Sequence, residues 1–329
     1  MNSQKILLLL LAVIMLSSGC VLPAEWPVDT RTTTGGGVVI EHFGPDFNEV
    51  RSGEEVVFTL RVKNTGSVMA QNGFAELLGL DPEWKPGAGA TTSATGEVFP
   101  DEERCRYTNK GINLLPGDPE SGISGGEETC TWRYVAPNVL PGLTIHSKPR
   151  VRFYYSYRSD TIKTITLLPK EELKRLQSQG NPLPIESYSK TASPVSIDIE
   201  AASPIRTYGT EVEFPLIIRV RNIGGGTVCS SVDACKKEGW SSEEGLYKVD
   251  VEILLPSGMG LHVCKPKERV VLIGNREQTI SCRISAIVPE KGIIQKNIEV
   301  RSDYGYFVDK TSDVFVRPSI LAEQPSTKE

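Results

Sequence analysis

The sequence predicts an all-β protein made of two β-sandwiches in tandem, joined by a short helical linker. Three observations lead to this prediction: stretches in which apolar and polar residues alternate, a composition rich in turn formers, and an internal repeat. Of 329 residues, 30 are glycine and 22 are proline, and 39% are hydrophobic. This balance is typical of a folded protein with many turns, and the length allows two domains.

The first residues predict export. Lys5 precedes an uninterrupted apolar run from Ile6 to Leu16, and the small residues Ser17, Ser18 and Gly19 follow. The run is too short for a comfortable transmembrane helix, which needs about 20 residues. We interpret residues 1–19 as a secretory signal peptide.

Cys20 follows Ser-Ser-Gly directly, and this arrangement resembles the lipobox at which prokaryotic lipoproteins are lipidated on cysteine and then cleaved. Leu16 lies four positions before Cys20, where the usual spacing is three. The resemblance implies that Cys20 is a lipid-anchored N-terminus, and a diacylglyceryl group is a sufficient anchor. A plain signal peptide cut nearby and an uncleaved short anchor remain alternatives. Residues 20–36 lack apolar periodicity and are interpreted as a flexible tether.

An internal repeat organises the rest of the chain. The stretch from Ser52 to Gly66 aligns with the stretch from Tyr208 to Gly224. Further landmarks follow in the same order in both copies, namely Cys105 with Cys264, Cys130 with Cys282, Pro137 with Pro289, and Tyr155-Ser-Tyr157 with Tyr304-Gly-Tyr306. The offset drifts as loop insertions and deletions would make it drift. The repeat predicts one sandwich over residues 37–168 and a second over 193–318. We interpret the remaining residues, 319–329, as a disordered tail.

Each copy contains alternating stretches that predict strands. In the first copy Val56, Phe58, Leu60 and Val62 alternate with more polar residues, and Phe214, Leu216, Ile218 and Val220 do so in the second. Pro215 lacks an N–H group, so its strand is expected at a sheet edge, or with that nitrogen facing solvent. The stretches 150–157 and 161–168 predict the closing strands of the first copy, and 297–304 and 311–317 those of the second.

The connection between the copies predicts a helix. Pro169 stands near its start, acidic residues follow in its first turn, and Gly180 stops it after Gln179. We place the linker at residues 169–192.

Six cysteines remain if Cys20 carries the lipid, and disulfides persist in the compartments that exported proteins reach. Six cysteines allow fifteen pairings. The alignment of the two copies selects Cys105–Cys130 and Cys264–Cys282, which leaves Cys229–Cys235. The sequence contains no CxxC pair of the kind that holds structural zinc, so no metal site is predicted.

The residues around Cys130 point to an immunoglobulin-like fold. Cys130 and Trp132 share one face of a strand, and a tryptophan against a buried disulfide is typical of immunoglobulin-type sandwiches. The strand ending in V-x-N-x-G, followed by Gly125 to Trp132 and by Ala136-Pro137, resembles CARDB-like and related adhesion-type domains of archaeal and bacterial surface proteins. This resemblance covers 37–168 and, more weakly, 193–318. It implies surface display, scaffolding or binding and brings no catalytic residues.

We predict no catalytic residue and no cofactor. The sequence contains no Walker-type, H-E-x-x-H or calcium-loop motif. His262 lies two residues before Cys264, so both are expected on one strand face, and adjacent acids such as Glu127-Glu128 are interpreted as solubilising residues. The basic and aromatic residues of 150–158 suit stacking on sugars or bases, but their match in the second copy favours a structural strand. The net charge of −5 gives no support to nucleic-acid binding.

These observations predict a membrane-anchored, non-enzymatic lipoprotein outside the cytoplasm. It would act as a scaffold, adhesion or protein-interaction module with an unknown protein or glycan partner at the cell surface. Two alternatives remain open: an extracytoplasmic carbohydrate-active enzyme or its accessory binding module, and a subunit of a surface assembly that completes its neighbours by strand addition.

Overall fold

The computed structural model describes residues 36–319 except 94–95, 108–110, 119–120, 237–244, 267–268, 273–276 and 289. The described residues form 21 β-strands, two α-helices and one short 3₁₀ helix at Glu103–Cys105. They all belong to one compact unit. The all-β fold predicted from the sequence is confirmed.

Two four-stranded antiparallel sheets correspond to the two copies of the repeat. The first has the order β1 (Val38–Pro45), β3 (Glu55–Asn64), β7 (Glu127–Val135) and β5 (Lys85–Pro86). The second has the order β11 (Val195–Ala201), β13 (Glu211–Asn222), β19 (Glu277–Ile287) and β17 (Met259–Lys265). The alternation predicted for β3 and β13 is confirmed, because their apolar set is buried in each sheet.

Pro215 does not mark an edge strand, because β13 lies between β11 and β19. The last pair of β11 with β13 is Ala201 with Leu216, so Pro215 lies just past the end of β11. Pro215 is exposed. The expectation of an edge strand is wrong, whereas the alternative of a nitrogen facing solvent fits, since a missing N–H group there takes no bond from the ladder.

A third sheet is shared by the two copies. Its centre is the antiparallel pair of β9 (Arg150–Pro169) and β20 (Ile294–Thr311), which runs from Arg150 opposite Thr311 to Leu167 opposite Ile294. Six further strands pair with these two or extend them, namely β4 (Ala70–Leu78), β6 (Ile112–Leu114), β10 (Tyr188–Lys190), β12 (Ile205–Thr207), β14 (Thr227–Cys229) and β16 (Glu252–Leu254). The stretches expected to form two closing strands in the first copy are one continuous strand, β9.

The sharing of this sheet bears on the expected division of the chain. A linker at 169–192 between two tandem sandwiches is not confirmed, because the two halves pair along the whole of β9. The helix predicted after Pro169 is present as α1 (Lys170–Gln179), and Gly180 ends it in the left-handed conformation with φ 66°. Leu173 and Leu176 of α1 pack with Leu168 and Ile293.

The last strand of the described chain pairs with two strands of the first half. β21 (Val314–Arg317) lies between β2 (Glu49–Arg51), to which it is parallel, and β8 (Ile145–Ser147), to which it is antiparallel. A two-stranded ribbon pairs β15 (Lys248–Asp250) with β18 (Arg269–Val271). The last strand of the described chain therefore completes a sheet of the first half.

The register of β9 with β20 is that of a pseudo-twofold axis. Tyr155 lies opposite Tyr306 and Tyr157 lies opposite Tyr304, with Ser156 opposite Gly305 between them. The repeat aligns Tyr155 with Tyr304 and Tyr157 with Tyr306, so exchange of the two halves exchanges these two pairs. The axis passes through the central pair, and the duplicated modules associate in one chain as the subunits of a symmetric dimer do.

The V-x-N-x-G motif of each copy clamps a tyrosine of this shared sheet. The hydroxyl group of Tyr157 accepts a hydrogen bond from the Val68 N–H at 3.3 Å, and that of Tyr306 accepts one from the Gly226 N–H at 3.0 Å. A β-carbon at Gly66 would come within about 2.0 Å of the Tyr157 hydroxyl oxygen, and one at Gly224 within about 2.4 Å of that of Tyr306. The glycine of the motif is required because the tyrosine hydroxyl takes the space of a side chain.

Candidate functional site

The three predicted disulfides are confirmed. Cys105 bonds Cys130, Cys229 bonds Cys235, and Cys264 bonds Cys282. Three disulfides in one chain indicate an oxidising, extracytoplasmic compartment. Cys20, the predicted lipidation site, lies outside the described residues. No helix in the described part of the chain is long and apolar enough to cross a membrane.

The first half fills the space between its two sheets. Trp132 is fully buried beside Cys130 on β7, as expected from their shared face. Residues 97–107 cover the edge of β7, where the Asp101 N–H donates to the Thr131 carbonyl oxygen at 2.8 Å. The cavity that remains beside Trp132 and Val98 has a volume of only about 40 Å³.

The second half leaves the corresponding space open. A cleft of about 880 Å³ lies between β17 on one side and β15 and β16 on the other. Val251 and Ile280, both buried, contribute to its apolar floor. Ile284 occupies the position that Trp132 has in the first half and contributes less volume. This cleft is the candidate functional site.

Leu261 shows most clearly that the cleft is unfilled. It lies opposite Ile284 on β19, and residues directly opposite each other in a ladder point to the same face of the sheet. Ile284 is fully buried, so Leu261 points inward as well, yet Leu261 is 45% exposed. An inward-facing leucine of a sandwich is normally covered by the opposite sheet or by a loop.

The arginines on the rim of the cleft are each bound to carboxylates. Arg269 forms a bidentate pair with Asp250 at 2.6 and 2.8 Å. Arg301 contacts Asp160 at 3.0 Å and Glu299 at 2.6 Å. The hydrogen bond with Asp250 raises the pKa of Arg269, and the one with Asp160 raises that of Arg301. Both arginines therefore stay charged, and their charges are neutralised within the protein.

The acidic residues of the cleft differ in their partners. Asp303 accepts a bidentate pair from Arg158 at 2.7 and 3.1 Å, as Asp250 does from Arg269. Glu252 is exposed on the rim and forms no ion pair with any residue that the structure describes. Among the described residues that line the cleft, the unpaired charge is thus the negative charge of Glu252.

His262 does not share a face with Cys264. A β-bulge between Leu261 and Val263 makes His262 an extra residue on β17. Its Nε2 atom lies 3.9 Å from the Glu213 carboxylate, whereas Cys264 points inward to Cys282. The expectation of a shared face is wrong because alternation along a strand shifts at a bulge. Within the described ranges no group of three or more His, Cys, Asp or Glu is arranged to hold a metal ion.

The basic and aromatic stretch of 150–158 is structural, as interpreted. Tyr155 and Tyr157 are buried in the shared sheet, and burial raises the pKa of Tyr157 to about 12. On the opposite face Tyr154 stacks on Phe74 with ring centroids 4.6 Å apart. These aromatic faces are covered by protein, so they offer no platform for a sugar or a base.

The loop closed by Cys229–Cys235 contacts the other half of the molecule. It carries α2 (Val232–Lys236), which ends at Lys236. The Lys236 ammonium group lies 4.1 Å from the ring centroid of Tyr107 and 3.3 Å from the Glu76 carboxylate. Tyr107 donates a hydrogen bond to Asp233, and this bond raises the pKa of Tyr107. The sequence predicted the Cys229–Cys235 disulfide but not this contact, because Tyr107 and Lys236 are far apart in the chain.

Comparisons with known proteins identify no family. No family model matches the sequence, and no curated protein matches it. The chain is similar to the secreted serine protease VesC from Vibrio cholerae at 9% identity and a TM-score of 0.21, over 84% of this chain and 50% of that one. It is similar to Escherichia coli alpha-2-macroglobulin activated by porcine elastase at 9% identity and a TM-score of 0.23, over 85% and 33%. The chain spans half of the first protein's length and a third of the second's, and likenesses this weak carry no functional argument.

Proposed function

We propose that this protein is a membrane-anchored, non-enzymatic lipoprotein outside the cytoplasm that acts as a scaffold and protein-interaction module. The observation that carries this proposal is the unequal filling of the two halves. The first half closes its own space with residues 97–107, whereas the second half presents an open cleft on the same compact unit. An opening held in place by a shared sheet suits binding, because little ordering is needed when a partner arrives.

The chemistry of the cleft favours binding over hydrolysis. A glycosidase needs one carboxyl group free to give a proton and a second free to act as nucleophile or base. Asp250 and Asp303 each accept two hydrogen bonds from an arginine, Arg269 and Arg158 respectively, and these bonds occupy both carboxylate oxygens. These carboxylates serve the structure, which supports the proposal against the carbohydrate-active alternative.

The membrane anchor in this proposal is Cys20. Support comes from its place after a short apolar run and from the three disulfides, which indicate an oxidising, extracytoplasmic compartment. The resemblance to CARDB-like surface domains is part of the same proposal and agrees with an immunoglobulin-like arrangement of Cys130 and Trp132.

Cell fractionation tests the proposal. Wild-type protein and a Ser18→Ala variant are expected in the membrane fraction, because a small residue remains in the lipobox, whereas Cys20→Ser is expected in the soluble exported fraction. A Cys20→Ser variant that stays with the membrane contradicts the anchor. Hydrolysis of a polysaccharide by the wild type that is lost in Asp303→Asn contradicts the non-enzymatic role.

A further inference from the structure

The free edge of β17 borders the open cleft. Among the described strands β17 pairs only with β19 and forms the end of its sheet. Leu261 and Val263 are 45% and 56% exposed there. An exposed edge presents unpaired backbone groups that a further strand can bond, and such edges are usually shielded. The bulge at His262 interrupts the edge, so regular pairing is available over Met259–Leu261.

The first half shows in the same chain how such a space is filled. There residues 85–87 and Asp101 lie along the edge of β7, with the Gly87 N–H bonded to the Arg133 carbonyl oxygen at 2.9 Å. Val98 inserts beside Trp132 and is buried. In the first half, therefore, backbone hydrogen bonds along β7 and the apolar side chain of Val98 close the space between the two sheets. In the second half β17 takes the corresponding edge position beside β19, but Leu261 on β17 stays 45% exposed to the cleft.

The charges of the cleft define the ligand further. Arg269 and Arg301 are neutralised by carboxylates of the protein, while Glu252 is exposed without an ion-pair partner among the described residues. A cationic side chain is therefore complementary to the rim, and an anionic one is repelled. A volume of about 880 Å³ lies in the range of known ligand sites and accommodates bulky side chains.

We propose that this cleft binds an extended segment of a partner protein, which adds a strand to β17. The segment places an apolar side chain beside Leu261 and a lysine or arginine opposite Glu252. The inference rests on the proposed function as a protein-interaction module and names the kind of partner: an extended peptide in which apolar and basic residues alternate.

Fluorescence anisotropy with two labelled peptides tests this inference on the full chain in mild detergent. One peptide has eight residues of alternating valine and lysine, and the other alternates valine and glutamate. The valine–lysine peptide is expected to bind at least about tenfold more tightly. Glu252→Lys is expected to reverse this preference. Equal binding of both peptides, or no binding of either, overturns the inference.

Leu261→Asp distinguishes strand addition from simple charge attraction. This change makes the protein more negative, so attraction by charge alone would strengthen binding of the valine–lysine peptide. We expect binding to fall at least about tenfold, because the apolar gap is lost. The matched control is Leu140→Asp, at a 71% exposed leucine of the first half, which should bind as the wild type does. Intact disulfides and an unchanged melting temperature establish that both variants are folded.

A second copy of the chain is the competing occupant of β17. Concentration-dependent dimers in analytical ultracentrifugation that disappear in Leu261→Asp, without any peptide binding, would assign the edge to self-association and overturn the inference. Neither result alters the outcome of the fractionation with Cys20→Ser, so failure of the peptide site and failure of the anchored-lipoprotein proposal are separable.

Discussion

Arg152 and Asp309 face each other across the ladder of β9 and β20 and form a bidentate ion pair, with nitrogen–oxygen distances of 2.7 and 3.0 Å. The pseudo-twofold axis relates this pair to Arg301 and Asp160, which contact each other at 3.0 Å. Duplication of the module has therefore produced two equivalent ion pairs that join the halves on either side of the axis.

The Arg152 pair should contribute more to stability than the neighbouring Arg158 pair. Arg152 is 9% exposed and its guanidinium group lies 4.1 Å from the ring centroid of Phe307. Arg152→Ala leaves Asp309 without its partner at a mostly buried site and should lower the free energy of unfolding by about 2 kcal/mol. Arg158 is largely exposed, so Arg158→Ala should cost less than about 1 kcal/mol. Urea unfolding of both variants measures the difference, and equal losses would contradict the assignment.

The asparagines of the two V-x-N-x-G motifs should have matched effects. Asn64 donates to the Val68 carbonyl oxygen at 2.8 Å, and Asn222 donates to that of Gly226 at 2.9 Å. Both asparagines are buried, so alanine at either position removes this bond and leaves polar groups unsatisfied. Asn64→Ala and Asn222→Ala should each lower the free energy of unfolding by about 2 kcal/mol. Asn138→Ala, at an exposed position, is the control and should change it by less than about 0.5 kcal/mol.

The tyrosines around the axis should make the protein unstable at alkaline pH. Burial raises the pKa of Tyr157 and of Tyr306 to about 12, against about 10 in an unfolded chain. The raised values mean that the folded state holds these protons more tightly. The corresponding stability is complete below about pH 10 and is lost as the pH rises from about 10 to about 12.

Unfolding in urea at pH 8 and pH 11, with phenolate absorbance at 295 nm, measures this loss. Each unit of pKa difference corresponds to about 1.4 kcal/mol. The variant Tyr157→Phe should show a smaller loss of stability between these two pH values than the wild type. An equal loss in the variant would show that the effect arises elsewhere.

The Cys105–Cys130 and Cys229–Cys235 disulfides should stabilise different parts of the molecule. Cys105–Cys130 closes a longer loop than Cys229–Cys235, with separations of 25 and 6 residues, so loop entropy gives about 3 and about 2 kcal/mol respectively. The double substitution of Cys229 and Cys235 by serine should mainly loosen α2 from the first half. Hydrogen exchange over 229–236 should then rise, while exchange over Glu127–Val135 stays unchanged. Faster exchange in β7 as well would show that the loop stabilises the whole unit.

Local features of the fold were predictable because they depend on residues close in the chain. Alternation identified strands such as β3 and β13, and helix start and stop signals identified α1. The repeat selected two of the disulfides and left the third as the remaining pair. The pairing of β9 with β20 was not predictable, since alternation shows which face of a strand is buried but not which strand lies beside it. The prediction of a linker between two separate sandwiches therefore missed the sheet that both halves share.

The candidate cleft was also beyond sequence reasoning, because it arises from a segment that the second half lacks. The sequence carries only indirect signs of it, which do not locate a cleft: Ile284 in the place of Trp132, and a shorter stretch between β16 and β19 than between β4 and β7. The bulge at His262 left no signal in the spacing. It moves an imidazole to the outer face of the sheet, where a strict alternation would have put it beside Cys264.

Because β21 lies between β2 and β8, the first half cannot complete its small sheet until the last described strand has been synthesised. Export delivers the chain from its N-terminal end, and the first half must wait for residues 314–317 before that small sheet closes. Cleavage of the peptide chain near residues 181–187 would leave two fragments held together by β9, β20 and β21 rather than two free domains. The two halves therefore depend on each other, because the last described strand completes a small sheet with β2 and β8 of the first half.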